Sequence, residues 1–343
     1  MAEGKKAVFF GELLMRLGTL RFERFVQARE FAVSYTGAEA NAAVSLANYG
    51  LDAYVVSIVP DTEIGQACIN YLREFGVNTD FILRGGKRLG TFYLETGASQ
   101  RPSKVIYDRA GSSITELKPG TVDWERVFSG KHWFHWSGTA PALSDSMAAT
   151  TQEACAAAKQ AGLMVSCDLN YRRKLWPPER ARRVMTELMQ YVDVLIGNEE
   201  DSSIVLGVAA KGVDVAKGVI DAERYKEVAA ELHRRFAFKY VATTLRASLS
   251  ASENRWSCLL YDGQRCYVSR EYQIWIVDRV GGGDSFSGGL IYGLLSGMSS
   301  QDAVEFAAAA SCLKHSIHGD FNQVSREEVM ALVAGGGSGR IQR

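Results

Sequence analysis

The chain alternates repeatedly between short apolar runs and longer amphipathic stretches. "KAVFFGE", "DAYVVSIVP", "HWFHWSG", "LMVSCDLN" and "VDVLIGN" have the length and near-continuous hydrophobicity of strands buried on both faces. Between them lies "AEANAAVSLANYG", where Ala40, Ala43, Val44 and Ala47 recur at helical spacing and Gly50 marks the stop. "TEIGQACINYLREFG", which stops at Gly76, "DSMAATTQEACAAAKQAG" and "PERARRVMTELMQY" follow the same pattern. A strand, a helix and a second parallel strand close by a right-handed crossover. The alternation therefore predicts an α/β fold with a mostly parallel central sheet and helices on both faces. In such sheets ligand groups gather at the carboxyl ends of the strands.

Two stretches break this rhythm. Residues 13–35 ("LLMRLGTLRFERFVQAREFAVSY") and 87–109 ("KRLGTFYLETGASQRPSKVIYDR") alternate like strands joined by turns. They predict a small antiparallel β unit at the edge of the main sheet, either an ordinary hairpin decoration or a lid that excludes water from a reaction. An apolar-patterned lid is also a surface on which two copies would pair as a homo-oligomer. The expected organisation is a single domain over residues 1–334, a lid from about 13–35 and 87–109, and a flexible tail, "GGGSGRIQR", at 335–343.

Lys plus Arg and Asp plus Glu number 39 each, so no net field draws the chain to nucleic acid or to an anionic membrane. Neither is expected as a partner, and any bound anion must be held by local groups. The six cysteines (Cys68, Cys155, Cys167, Cys258, Cys266, Cys312) are scattered with no C-x-x-C pair, which argues against a zinc site and a disulfide framework. The opening "MAEGKKAVFFGELLMRLG" breaks its apolar run at Gly11 and Glu12, unlike a signal peptide. No window approaches the ~20 apolar residues that span a bilayer. A cytoplasmic, reduced chain is expected.

The segment "IVDRVGGGDSFSGGLIYGLLSGM" (276–298) sets Gly281, Gly282 and Gly283 directly before Asp284. Phe286, Leu290, Leu294 and Leu295 then fall on one helical stripe. A glycine turn that opens a helix presents free N–H groups and the positive end of the helix dipole, a site for an anion such as phosphate. A carboxylate is an odd neighbour for an anion unless it accepts a proton; the plainer reading is a first-turn aspartate favoured by the dipole. Phosphoryl transfer asks for little beyond positioning, charge neutralisation and such a base. The chain contains no G-x-x-x-x-G-K-[ST] and no G-x-G-x-x-G after its first strand, so neither a P-loop nor a dinucleotide fold is expected.

"DRVGGGDSFSGG" resembles the C-terminal signature of the ribokinase-like (phosphofructokinase B type) carbohydrate kinases, usually D-T-x-G-A-G-D-x-F. "TGAEANAAVSLANYGLDAYVVSIVPDTEIG" (36–65) is similar to their N-terminal signature, G-G-x-x-x-N-x-A followed by a turn. Both stand in order, so the resemblance spans nearly the whole chain. It implies a ribokinase-like fold with a β lid, and transfer of phosphate from ATP, with Mg²⁺, to a hydroxymethyl group. It makes Asp284 the catalytic base and the amides of Gly281, Gly282 and Gly283 the anion hole, with Gly281 and Gly283 also touching ATP. A monovalent cation beside the glycine loop stays open. "GTFYLETGASQRPSKVIYDRAGSS", "DLNYRRKLW", "NEED" and "VGGGD" resemble the 2-keto-3-deoxygluconate kinase branch of the family. That likeness implies substrate contacts at Gly37, Tyr93, Tyr107, Arg109 and Arg172. The implied substrate is a keto-deoxy sugar acid phosphorylated at its primary hydroxyl. Another sugar, or a sensor that binds a sugar acid without turnover, remains as an alternative.

A planar guanidinium binds a carboxylate through paired hydrogen bonds, so two arginines after two strand ends suit an anionic sugar. Kinases of neutral sugars in the family usually place an aspartate after the first strand to clamp two hydroxyls, whereas this chain has Glu12. Other positions depart from the pattern. Thr36 stands where a glycine is usual, Gly282 where an alanine is usual, and Arg279 is either a third anion contact or a loop charge. The family's N-x-x-E motif becomes Asn198 and Asp201, with Asp201 expected to reach Mg²⁺ through water and Glu200 competing. The usual glycine-rich nucleotide loop is replaced by "TTLRASLSASENRWS" around 243–257, where Thr244 and Arg246 are expected beside the phosphates. The alanines of "AVEFAAAASCLKHSIHG" would either leave room for adenine or pack in the core.

Overall fold

The computed structural model describes residues 4–209 and 222–336, except for the side chains at 199, 222 and 223. Its strands are β1 (Lys6–Phe10), β2 (Leu14–Thr19), β3 (Phe31–Thr36), β4 (Asp52–Val59), β5 (Asn78–Arg84), β6 (Gly90–Glu95), β7 (Lys104–Asp108), β8 (Trp133–Ser137), β9 (Met164–Asp168), β10 (Val194–Gly197), β11 (Tyr240–Ser248), β12 (Glu253–Tyr261), β13 (Cys266–Val268) and β14 (Tyr272–Trp275). The main sheet has the order β13-β12-β11-β10-β9-β8-β1-β4-β5, with β14 also on β12. From β5 to β11 every pairing is parallel. The strands after β11 turn back antiparallel.

Alternation along each strand sends side chains to two separate cores. Ala7 and Phe9 of β1 join the core under the helices Ala38–Asn48, Gly282–Leu295 and Ser300–Lys314. Val8 and Phe10 join the core on the opposite face, under Asp145–Gln160, Pro178–Leu188 and Ala222–Phe236. Both faces are thus covered, as continuous apolar strands require. The helix starts are capped where the sequence offers a hydroxyl. Thr62 and Ser144 accept from Gly65 and Met147 N–H, and Ser325 forms a capping box with Glu328.

The segments that break the alternation form a separate four-stranded sheet, ordered β3-β2-β6-β7. Its outer pairs are antiparallel, and the two hairpin halves meet through a parallel β2–β6 seam. Leu14, Phe92 and Leu94 on its inner face pack with Val105 and Val280, so the lid rests on the residue just before the glycine turn. One expectation needs correction: 243–257 is not a loop apart from the turn at 249–252. β11 and β12 form a hairpin that pairs Thr244 with Cys258 and Arg246 with Trp256. Strand propensity in "YVATTLRAS" and "RWSCLLY" outweighs the missing glycines, and pairing rather than a flexible loop fixes these residues. Of the tail expected at 335–343, all beyond Gly336 lies outside the described residues.

Candidate active site at the strand ends

Gly281 caps the Gly282–Leu295 helix in the left-handed region, at φ +82°, and a Cβ there would lie 1.9 Å from the Asp320 carbonyl oxygen. Only glycine satisfies both demands. The Gly282 amide bends back to the Arg279 carbonyl at 3.4 Å. The amides of Gly281, Gly283 and Asp284 find no acceptor among the described residues. Gly283 is exposed, and a Cβ on it would meet nothing within 4 Å. The protein's own packing therefore does not demand glycine at 283; open backbone that something else can approach does.

Asp284 sits half-buried in the first helical turn. Asn41, from the Ala38–Asn48 helix, donates to its Oδ2 at 2.6 Å. Burial raises the Asp284 carboxyl to about 7; Asn41 opposes that rise, Asp168 adds to it, and the Arg172 charge opposes it. A carboxylate poised near neutrality is suited to accept a proton. Asn41 lies in the N-terminal signature, so the sequence carried a signal for it. The Thr36 hydroxyl lies 2.8 Å from Asn41 Oδ1 and 2.7 Å from Asp320 Oδ2. The threonine that departs from the usual glycine thus has a defined place beside Asn41.

Gly37, Glu12, Tyr107 and Arg109 converge between β1 and the lid. A Cβ on Gly37 would stand 2.2 Å from the Glu12 carbonyl oxygen, and one on Gly90 2.9 Å from Glu12 Oε1. Arg109 donates to Glu12 Oε2 at 2.9 Å and lies 4.4 Å from the Tyr107 ring centroid. Ser112 donates to Glu12 Oε1. Glu12 is therefore the buried partner of Arg109, which sequence reading did not foresee. The two positions are 97 residues apart, and only the lid's pairing joins them. Tyr93 is not brought to this group. The β6–β7 register pairs Phe92 with Tyr107 and Tyr93 with Ile106, so the two tyrosines leave opposite faces of the lid. Tyr93 packs against Phe31 on the outer face.

Arg172 follows β9, is exposed, and lies close enough to Asp284, Asp168 and Asp201 to lower the pKa of each. Burial nevertheless pushes Asp168 up to about 7 and Asp201 up to about 6. Asp168, the last residue of β9, is a site carboxylate the sequence reading missed; its signal was a lone aspartate closing an apolar strand. Asn198, just past β10, accepts from Asp201 N–H at 2.8 Å and donates to Asp201 Oδ2 at 3.0 Å. The pair thus caps its own turn while leaving Asp201 at the strand ends. Glu200 is exposed. Among the described residues no three His, Cys, Asp or Glu side chains cluster as direct metal ligands.

On the far side of the glycine turn, burial lowers the pKa of both Arg279 and His315; the Arg246 charge adds to the fall at Arg279, and Lys314, Arg279 and Arg246 add to it at His315. Arg279 donates to the Ala251 carbonyl at 3.2 Å, while its Nε is buried without an acceptor among the described residues. His315 explains Gly282: a Cβ there would lie 2.5 Å from the His315 ring. The alanines of Ser300–Lys314 pack in the core. Ala303 and Ala307 to Ala310 are fully buried, and Gly293 and Gly289 press against Ala303 and Ala307.

A parallel sheet with a small sheet against its strand ends, and a carboxylate beside helix-start amides that find no acceptor among the described residues, is an arrangement that suits phosphoryl transfer. The sequence pattern of the pfkB family carbohydrate kinases matches residues 5–325. The chain belongs to that family, and its fold is ribokinase-like. The crystal structure of 2-dehydro-3-deoxygluconokinase from Thermotoga maritima is similar at 49% identity and a TM-score of 0.93, covering 96% of this chain and 99% of that one. The 2-dehydro-3-deoxygalactonokinase of Haloferax volcanii is 33% identical over 97% of this chain and 98% of its own length. The 2-dehydro-3-deoxygluconokinase of Bacillus subtilis is 26% identical over 95% of this chain and 94% of its own. The chain is a carbohydrate kinase close to those that act on keto-deoxy sugar acids. Among the described residues no helix is long and apolar enough to cross a membrane.

Proposed function

We propose that the chain transfers the γ-phosphoryl group of ATP, with Mg²⁺, to the primary hydroxyl of 2-keto-3-deoxygluconate, giving 2-keto-3-deoxy-6-phosphogluconate. One observation carries the reading: a carboxyl with pKa about 7, aimed by Asn41, stands beside three amides that have no acceptor among the described residues. Asp284 takes the hydroxyl proton as the oxygen–phosphorus bond forms and the bond to the departing ADP oxygen breaks. The amides of Gly281, Gly283 and Asp284 donate to the phosphoryl oxygens, where charge builds in the transition state. ATP supplies the electrophilic phosphorus when bound. Asn198 and Asp201 would hold Mg²⁺ through water, where it would offset charge on the phosphates, and Thr244, Arg246 and Arg279 would flank the remaining phosphates. Gly37, Tyr107, Arg109 and Arg172 orient the sugar acid; Arg172, unlike Arg109, has no ion-pair partner among the described residues.

The outer face of the lid carries Phe31, Val33 and Ile106, which are 38%, 57% and 54% exposed, beside Tyr93. That apolar face supports pairing of two chains through their lids, which light scattering of Val33→Asp against wild type would test by loss of the dimer mass. A reducing cytoplasm is the expected setting for a chain whose six cysteines are scattered in sequence with no C-x-x-C pair.

The deciding experiment measures ADP release with 2-keto-3-deoxygluconate, its galacto epimer, gluconate, fructose and ribose, with Asp284→Asn alongside. Expected are turnover on the keto-deoxy acid and a fall of about 10²–10⁴-fold in kcat for Asp284→Asn. Preference for fructose or ribose would overturn the carboxylate assignment. The Haloferax relative gives a second reading specific ground: equal or better turnover of the galacto epimer would make that epimer the substrate.

A further inference from the structure

Lys314 ends the Ser300–Lys314 helix and has no solvent exposure. Its ammonium donates to two backbone carbonyls, Asp278 and Ile317, each at 3.2 Å. Asp278 begins the loop that becomes the glycine turn, and its carboxylate ties that loop down. Oδ1 accepts from Val280 N–H at 3.1 Å, and Oδ2 accepts from Gly319 N–H at 3.1 Å and from Arg16 at 2.5 Å. Arg16 also pairs with Asp320, whose carbonyl lies against Gly281. Two carboxylates and two cations thus form a buried network directly behind the anion hole. Carbonyl oxygens converging on a point behind such a turn are what a bare cation coordinates. Here a covalently held ammonium already fills that point, so the residues present do not fit a separate monovalent ion.

We infer that Lys314 serves as a tethered monovalent cation, holding the 278–284 loop in its anion-binding shape so that the chain needs no added potassium or sodium. The inference rests on the kinase reading above, because it gives the glycine turn a phosphate to bind. A purely space-filling lysine would stabilise the fold without affecting how salt identity alters nucleotide binding. A tethered cation does affect it, because removing the ammonium leaves carbonyls that a free ion can occupy. Lys314 is a positioning residue: it acts through the loop and touches no reacting atom.

The test uses full-length protein and isothermal titration of ATP in potassium chloride and in tetramethylammonium chloride at equal ionic strength. Wild type is expected to bind with the same Kd in both salts, and its melting temperature should not respond to potassium. Lys314→Met should bind ATP about tenfold or more weakly in tetramethylammonium, with part of the loss restored by potassium or ammonium ions. Saturable tightening of wild-type binding by potassium would overturn the inference. So would a folded Lys314→Met that binds ATP like wild type in both salts. Should Lys314→Met fail to fold, the wild-type comparison still decides. Failure of the sugar-acid assignment would instead leave ATP binding intact and show as a wrong substrate preference, so the two failures are distinguishable.

Discussion

The two sides of the glycine turn handle charge in opposite ways. On the lid side four arginines are paired with carboxylates: Arg16 has Asp278 and Asp320, Arg88 has Asp108, Arg101 has Glu95 and Arg109 has Glu12. On the hairpin side neither Arg246 nor Arg279 has a carboxylate at ion-pair distance among the described residues; burial and then the Arg246 charge lower the Arg279 pKa, and Asp278 opposes them only in part. A neutralised pocket suits a ligand read by shape and by one carboxylate. An uncompensated one suits a polyanion, whose charge supplies the missing partner. The contrast says which half of the site meets the triphosphate, and it limits the role of Arg109. Its charge is already balanced, so its value to a sugar acid lies in its remaining donors and its stacking on Tyr107.

The largest effect should come from breaking that balance. Arg109→Leu leaves Glu12 buried without its cation and is expected to cost about 3–5 kcal/mol of stability, read by denaturant unfolding. Burial already raises the Glu12 carboxyl, against the pull of Arg109 and Ser112, so the orphaned group would protonate rather than stay charged. Adding Glu12→Leu should recover most of the lost stability. The KM of the double variant for the sugar acid then separates two roles. A KM still raised means that Arg109 binds substrate directly; a KM back near wild type means that it only holds the lid to β1.

A smaller and cleaner contrast lies within the turn itself. Gly281→Ala must place a Cβ against the Asp320 carbonyl at positive φ, so it is expected to destabilise by more than about 1 kcal/mol. Gly283→Ala meets no atom and should leave the melting temperature unchanged or slightly raised. Its kcat should nonetheless fall, because the new methyl stands where the phosphoryl group approaches. Unchanged turnover in Gly283→Ala would remove the anion hole from that amide.

The alternation of apolar runs exposed the parallel sheet and the helices of both layers, because burial on two faces leaves an unmistakable pattern. The later strands were not legible. "TTLRASLSASENRWS" was read against a missing glycine motif, while pairing of β11 with β12 decided its structure. The site divides in the same way. Asp284 and its glycines were readable because three glycines before a carboxylate have few structural uses. Asn41 was readable in principle from the same signature. Glu12 on Arg109 and Lys314 on the Asp278 carbonyl were not, since each joins residues distant in sequence through tertiary packing alone. Tyr93 shows the limit of transfer by motif: one step of register in the lid sends it to the outer face.

The smallest effect concerns the carboxylate at the junction of the two halves. With its pKa near 7, Asp284 is protonated in mildly acidic solution and cannot accept a proton, so kcat/KM should rise with pH up to about 7 and then level. Asn41→Ala removes a hydrogen bond that favours the charged form and should move that limb upward. Activity at pH 6 would then suffer more than activity at pH 8. The stability sign follows from the same shift. A carboxyl whose folded pKa is raised above its unfolded value of about 4 binds its proton more tightly when native. That contribution is present at acid pH and is lost as pH rises from about 4 toward 7. Asp284→Asn, which carries no charge to bury, should therefore gain melting temperature over wild type as pH rises through that window, while its turnover is lost at every pH. A stability difference that stays flat with pH would mean that Asp284 titrates normally, and the base would then owe nothing to the burial that sets it between the neutral and the charged sides of the site.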